Sequence, residues 1–67
     1  MRIIRDNYYL VNSSGWNELE IVKALYITRT SFRAYEISSY RDQWYNVEEV
    51  VREATEADRL LYGVIPP

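Results

Sequence analysis

The spacing of apolar residues predicts a helix at the C-terminal end of the chain. Between residues 47 and 62 apolar side chains recur every three or four positions, which places them on one side of an α-helix. They are Val47, Val50, Val51, Ala54, Ala57 and Leu61. Asn46 and Glu49 have the form of a capping box, and Gly63 suits the left-handed residue that follows a helix. We therefore predict a helix over residues 47–62, which packs either on the core or against a second copy of the chain in a homodimer.

A second helix-start signal lies at Asn17. Glu20 follows it by three residues, as in a capping box, and apolar residues recur at helical intervals from Leu19 to Tyr26. This pattern predicts a helix of about ten residues.

The segment from Glu20 to Glu36, EIVKALYITRTSFRAYE, fits two structures. Its many β-branched and aromatic residues favour a β-hairpin. However, the connection TRTS contains no Gly, Asn, Asp or Pro to supply the positive φ of a tight hairpin turn, and a strand would bury Lys23. Thr28 is a suitable N-cap, and Phe32 and Tyr35 recur at helical spacing. We favour two helices around a turn over residues 20–37, and the hairpin is the alternative.

The composition excludes the commonest catalytic and metal-binding chemistry. The 67 residues suffice for a single domain, residues 1–67, and include no cysteine and no histidine. The usual ligands of transition metals and the common general base are therefore missing. Five of the ten carboxylates fall on the exposed side of the predicted C-terminal helix. We expect no enzyme activity, no catalytic residues, no metal site and no cofactor.

Hydropathy and charge restrict the partners. The longest apolar run is four residues, Ala24 to Ile27, which is too short for a membrane span, so we expect a cytoplasmic protein without a membrane partner. The formal net charge is −2, but residues 1–41 carry six basic and four acidic residues, whereas residues 42–67 carry two basic and six acidic ones. The basic part can face phosphates while the acidic part faces away.

The same segment, EIVKALYITRTSFRAYE, resembles the DNA-binding motif of MerR-type regulators and the related small phage excisionases. Downstream, QWYNVEEVVRE is similar to the end of the wing in those families, where an aromatic-rich strand leads into a helix. The resemblance covers residues 19–53. It implies a mostly α fold with short β segments, a winged helix-turn-helix in which SSYRDQWY forms a short wing and residues 47–62 form the C-terminal helix.

The resemblance implies a small DNA-binding protein, an excisionase-like factor or a transcriptional regulator. It would read duplex DNA with the helix that begins near Thr28. Arg29 and Arg33 would contact bases or phosphates, and Arg41 would contact the DNA backbone from the wing. Thr28 and Thr30 would hold phosphates at the start of the helix.

The alternative is an α+β fold, a three-stranded antiparallel sheet packed by one C-terminal helix. Seven tyrosines and two tryptophans suit an aromatic-rich contact surface, so this fold would act as a small phage-type protein-binding module or an inhibitor of a host protein. Its candidate anchors are Tyr8, Tyr9, Tyr40, Trp44 and Tyr45. The other interpretation is that most of these aromatic residues lie in the core, and for Trp44 we favour the core.

Overall fold

The computed structural model describes residues 2–12 and 18–64, which form one antiparallel sheet and a short α-helix. The elements are β1 (Tyr8–Val11), β2 (Glu20–Ile27), β3 (Ser31–Glu36), β4 (Arg41–Asn46), a 3₁₀ turn (Val47–Glu49), β5 (Val50–Glu53) and α1 (Glu56–Leu61). The five strands lie in the order β4-β3-β2-β1-β5. β1 to β4 therefore form a meander, and β5 returns to pair with β1. No helix within the described residues has the length and apolar character needed to cross a membrane.

The prediction of a mostly α winged helix-turn-helix is wrong. Residues 20–37 contain the β2–β3 hairpin and not two helices, with Ile27 paired to Phe32 and Val22 paired to Glu36. The alternative anticipated an antiparallel sheet, but with three strands where the structure has five and with a long helix where α1 has six residues. Asn17, the predicted cap of the first helix, lies outside the described residues.

The β2–β3 turn closes without the positive φ that the sequence argument required. Neither Arg29 nor Thr30 has a positive φ. Instead, the backbone N–H of Thr28 donates to the carbonyl of Ser31 (2.8 Å), and the Thr28 hydroxyl accepts from the Ser31 N–H (3.1 Å) and donates to the Ser31 carbonyl (3.0 Å). A threonine hydroxyl thus replaces a special backbone conformation.

The predicted helix over residues 47–62 is also wrong, although two of its signals are present. The Asn46 N–H donates to the Glu49 carboxylate (2.9 Å), as a capping box requires, but Val50 is already extended, so the box opens only a 3₁₀ turn. β5 then pairs with β1, and α1 begins after a second capping box. Gly63, at φ +76°, ends α1 as expected.

That second capping box joins Thr55 to Asp58. The Thr55 N–H donates to the Asp58 carboxylate (2.8 Å), and the Thr55 hydroxyl accepts from the Asp58 N–H (3.1 Å). The Arg52 guanidinium on β5 also binds the Asp58 carboxylate through two nitrogens. These hydrogen bonds, of which the one from Arg52 has the largest effect, hold the pKa of Asp58 well below its usual range. They connect the start of α1 to the sheet.

One side of the sheet, called the inner face below, carries an aromatic cluster. The centroid of the Phe32 ring lies 6.3 Å from that of Tyr9 and 5.8 Å from that of Tyr45. The other buried residues of this cluster are Ile3, Val11, Val22, Ala24 and Ala34. The Tyr9 hydroxyl accepts a hydrogen bond from the Ile4 N–H (2.7 Å), which fixes the N-terminal segment over the inner face.

The opposite side, called the outer face, is covered only in part. Neighbouring residues of a strand point to opposite sides, so Leu10 and Ile21 lie on the outer face. They form a second buried cluster with Ala54 and Val64, the residues before and after α1. The C-terminal segment therefore covers β1 and the first half of β2. The outer face of β3 and β4 remains exposed.

Candidate interaction surface

Arg33 lies in the middle of β3, and the other four residues predicted to bind DNA lie at two separate places on the β2–β3–β4 sheet. Thr28, Arg29 and Thr30 are exposed in the β2–β3 turn, whereas Arg41 is exposed at the start of β4. The strand register pairs Ser31 with Asn46 and Glu36 with Arg41. The β2–β3 turn and Arg41 therefore lie at opposite ends of the β3–β4 pair. Strands of this length separate the two ends by about 17 Å. The structure does not bring these residues together, and none of them lies on a helix.

A basic depression borders the β2–β3 turn. It has a volume of about 460 Å³ and is lined by Arg2, Ile3, Ile27, Thr28, Arg29 and Val47. The N-terminal segment and the turn each contribute one arginine to it. Thr28 has its hydroxyl engaged with Ser31 in the turn.

Two of the predicted protein-binding residues are removed from the surface. Tyr9 and Tyr45 are 1% and 2% exposed and belong to the inner aromatic cluster. Tyr8 is half-buried, with the Lys23 ammonium 6.0 Å from its ring centroid. Tyr40 is exposed in the β3–β4 turn, and Trp44 is exposed on β4. The core interpretation therefore fails for Trp44 and holds for Tyr9 and Tyr45.

Trp44 forms an exposed aromatic pair with Tyr26, a residue that the sequence argument did not select. The two ring centroids lie 6.1 Å apart with the rings nearly perpendicular, at 83°. More than half of each residue is accessible to solvent, 57% for Tyr26 and 55% for Trp44. Edge-to-face packing of this kind orients both rings, so the pair presents an ordered apolar surface.

Charged side chains surround this pair on the outer face. The register places Arg33 directly between Tyr26 and Trp44 across three neighbouring strands. The Arg33 guanidinium donates to the Asp42 carboxylate at 2.7 Å. The next row along the strands holds Tyr8, Lys23, Tyr35 and Asp42. We call the set Tyr8, Lys23, Tyr26, Arg33, Tyr35, Asp42 and Trp44 the outer aromatic surface.

A β-bulge at Leu25 places Tyr26 on this surface. Ala24 pairs with Ala34, but Tyr26 pairs with Arg33, so Leu25 is an extra residue in β2. Without the bulge, strict alternation after the inward-facing Ala24 would turn Tyr26 toward the core and Ile27 toward solvent. No sequence signal used above marks this bulge, which is why Tyr26 was missed.

A buried carboxylate lies on the inner face, at the end of β3 that is farthest from the β2–β3 turn. Glu36, 5% exposed, accepts hydrogen bonds from the Gln43 amide (2.8 Å), the Tyr45 hydroxyl (3.1 Å) and the Ser38 hydroxyl (3.1 Å). Burial and the Glu36 charge raise the pKa of Tyr45, and the same two causes raise the pKa of Glu20. Three donors satisfy the Glu36 carboxylate and connect β3 to β4. No group of three potential metal ligands occurs within the part of the chain that the structure describes.

Comparison with known proteins gives no relative: no family model, curated protein or solved structure matches this chain.

Proposed function

We propose that this chain is a protein-binding module and that its outer aromatic surface is the contact site. The observation that supports the proposal is the exposed Tyr26–Trp44 pair on β2 and β4, with Arg33 at the strand position between these two residues. Tyr, Trp and Arg are the residues most enriched where protein interfaces concentrate their binding energy.

The exposed area of Trp44 is sufficient for such a role. A tryptophan that becomes fully buried covers about 250 Å². Because 55% of Trp44 is exposed, a partner that covered the whole side chain would bury about 140 Å² more, which is worth about 3.5 kcal/mol at about 25 cal/mol per Å². Residues whose truncation costs 2 kcal/mol or more are the hot spots of protein interfaces.

The charges of the surface favour a protein over a nucleic acid. Its two cations, Lys23 and Arg33, face one carboxylate, Asp42, to which Arg33 is already bound. Binding to nucleic acid needs several cations that are free to neutralise phosphates. The whole chain carries a net charge of −2. Lys23 and Arg33 against Asp42 give the surface a formal charge of only +1, and an aromatic surface with few charges is typical of a protein interface.

The test compares aromatic substitutions on the surface with one elsewhere. The tagged chain captures its partner from an extract of its source cells, and the purified partner is titrated calorimetrically against wild type, Trp44→Ala, Tyr26→Ala and Leu61→Ala. Leu61 is the control because it is 79% exposed on α1, away from the outer aromatic surface. We expect at least about tenfold weaker binding for Trp44→Ala and Tyr26→Ala, as for interface hot spots, and unchanged binding for Leu61→Ala.

Two results would refute the proposal. One is a partner that binds the Trp44→Ala and Tyr26→Ala variants as tightly as wild type. The other is capture of nucleic acid alone, lost on nuclease treatment. Circular dichroism of each variant establishes that the sheet is retained.

A further inference from the structure

Along β4, residues that bond to β3 alternate with residues that do not. Two hydrogen bonds near the β2–β3 turn show which backbone groups of β4 point away from the sheet. The Val47 N–H donates to the Thr30 carbonyl (3.0 Å), and the Thr28 N–H donates to the Ser31 carbonyl (2.8 Å). In an antiparallel ladder every second residue faces the neighbouring strand. Arg41, Gln43 and Tyr45 therefore direct their N–H and C=O groups toward β3. Asp42, Trp44 and Asn46 direct theirs away from the sheet, because β4 is an edge strand.

Two of these three residues have both backbone groups available. The Asn46 N–H is bound to the Glu49 carboxylate at 2.9 Å. Within the described residues, no hydrogen bond occupies the backbone N–H and C=O groups of Asp42 and Trp44. The open part of the edge is thus short and lies beside the outer aromatic surface.

We propose that a second copy of this chain occupies this edge, with the two β4 strands antiparallel about a twofold axis at Gln43. Asp42 of each copy then lies opposite Trp44 of the other. Each of these two pairs exchanges two backbone hydrogen bonds, so all the available groups are satisfied. An isologous contact of this kind is the commonest form of homodimer.

The alternative symmetric registers are less favourable. An axis at Asp42 sets the two Asp42 carboxylates directly opposite each other, which is destabilising. An axis at Trp44 sets Asp42 opposite Asn46, whose N–H is already bound by Glu49. An axis between two residues sets each residue whose N–H and C=O point away from the sheet opposite a residue whose groups point toward β3, so the two cannot exchange hydrogen bonds. With the axis at Gln43, Arg41 faces Tyr45 and no like charges meet within β4.

The charges on β4 do not protect this edge from pairing. Charged side chains commonly prevent edge strands from associating. Here the Asp42 carboxylate is bound to Arg33 within its own chain (2.7 Å) and would face an indole, which carries a hydrogen-bond donor.

The dimer would unite the two outer aromatic surfaces. Because the axis of an antiparallel edge contact is perpendicular to the sheet, both outer faces lie on the same side. A sheet continuous across both copies would then present two Tyr26–Trp44 pairs together. The dimer depends on the β4 backbone alone and stands whether or not the proposed protein partner exists.

The test is analytical ultracentrifugation of wild type, Asp42→Pro and Asp42→Ala. Both substitutions remove the ion pair with Arg33, but only proline removes the outward N–H, at a position where an edge strand tolerates proline. For so small an interface we expect a wild-type Kd on the order of 100 µM. The Asp42→Ala variant should dimerise within about threefold of wild type, and the Asp42→Pro variant at least about tenfold more weakly.

A monomeric wild type at about 1 mM would overturn the proposal, as would equal dimerisation of the proline and alanine variants. Should Asp42→Pro lose its fold, amide hydrogen exchange of wild type decides the question. Protection of the Asp42 and Trp44 N–H groups that rises with protein concentration supports the β4 contact, and protection independent of concentration overturns it.

Discussion

Replacing Tyr45 by phenylalanine tests the hydrogen bonds that connect β3 to β4. The Tyr45 hydroxyl donates to the Glu36 carboxylate at 3.1 Å, and the two residues are 2% and 5% exposed. Tyr45→Phe keeps the ring that packs on Phe32 and removes only this donor. Gln43 and Ser38 remain as the two other donors to Glu36.

The expected loss is large for so small a protein. A hydrogen bond to a charged group contributes about 1.5–3 kcal/mol, so we expect Tyr45→Phe to lower the free energy of unfolding by about 2 kcal/mol. A domain of 67 residues has a total stability of about 3–10 kcal/mol. The corresponding decrease in Tm is about 8–16 °C.

Urea unfolding at pH 7, followed by circular dichroism, measures this difference. Tyr26→Phe is the matched control, because it removes the same hydroxyl from a residue that is 57% exposed and should change stability by less than about 0.5 kcal/mol. An equal effect of the two substitutions would show that the bond to Glu36 does not stabilise the fold.

Three further predictions concern the turns and the carboxylates. Thr28→Val removes the hydroxyl that closes the β2–β3 turn and should destabilise the protein by about 1 kcal/mol in urea unfolding, whereas Thr28→Ser should not; equal stabilities would contradict the role of the hydroxyl. Tyr40 has a φ of +57°, so Tyr40→Asn should raise the free energy of unfolding by about 0.5–1 kcal/mol, and a decrease would show that the tyrosine ring stabilises the turn. Because burial and Glu36 raise the pKa of Glu20, its contribution to stability is present below its unfolded pKa and is lost as the pH rises. Glu20→Gln should therefore be more stable than wild type at pH 7 by about 0.5 kcal/mol in urea titrations, and the difference should vanish in acid; a difference independent of pH would contradict this.

Ionisation of the Tyr45 phenol should also change the stability of the protein at alkaline pH. Burial and the Glu36 charge raise its pKa above the ordinary value near 10, so Tyr45 stabilises the folded state below that value and this contribution is lost as the pH rises. The stability of wild type should fall more steeply above pH 10 than that of Tyr45→Phe. Urea titrations between pH 9 and 11 measure both slopes, and parallel slopes would contradict the assignment.

At the C-terminal end of the chain, the signals at Asn46 and Gly63 could be predicted from the sequence. The strand and the helix between these two residues could not. The Asn46–Glu49 capping box and the left-handed Gly63 are both present. The apolar residues between them fit the period of a helix, whereas in the structure Val50 packs against the inner cluster and Ala54 belongs to the outer one. Pairing of β5 with β1, a contact distant in sequence, decided between the two.

From the sequence the β2–β3 hairpin is only the alternative to two helices, for a reason that the structure removes. A positive φ is one way to close a tight turn, and here the Thr28 hydroxyl closes it instead. Lys23 counted against a strand because one buried face was assumed, whereas Ile21 and Val22 pack into clusters on opposite faces. Trp44 is a candidate anchor for which the core was the favoured position, and it lies on the surface instead; the position of its neighbour Tyr26 depends on a bulge that only the register reveals.

Because Leu25 is an extra residue in β2, the part of the strand after it can be changed without disturbing the part before it. Deleting it would join Ala24 directly to Tyr26, so ordinary alternation would still direct Tyr26 outward and Ile27 inward. Inserting one residue beside Leu25 would place Tyr26 three positions after Ala24, an odd step that also directs Tyr26 outward. A library that varies the chain length at this single position would therefore keep the Tyr26–Trp44 pair on the outer aromatic surface while the Tyr9–Val22 packing stays unchanged.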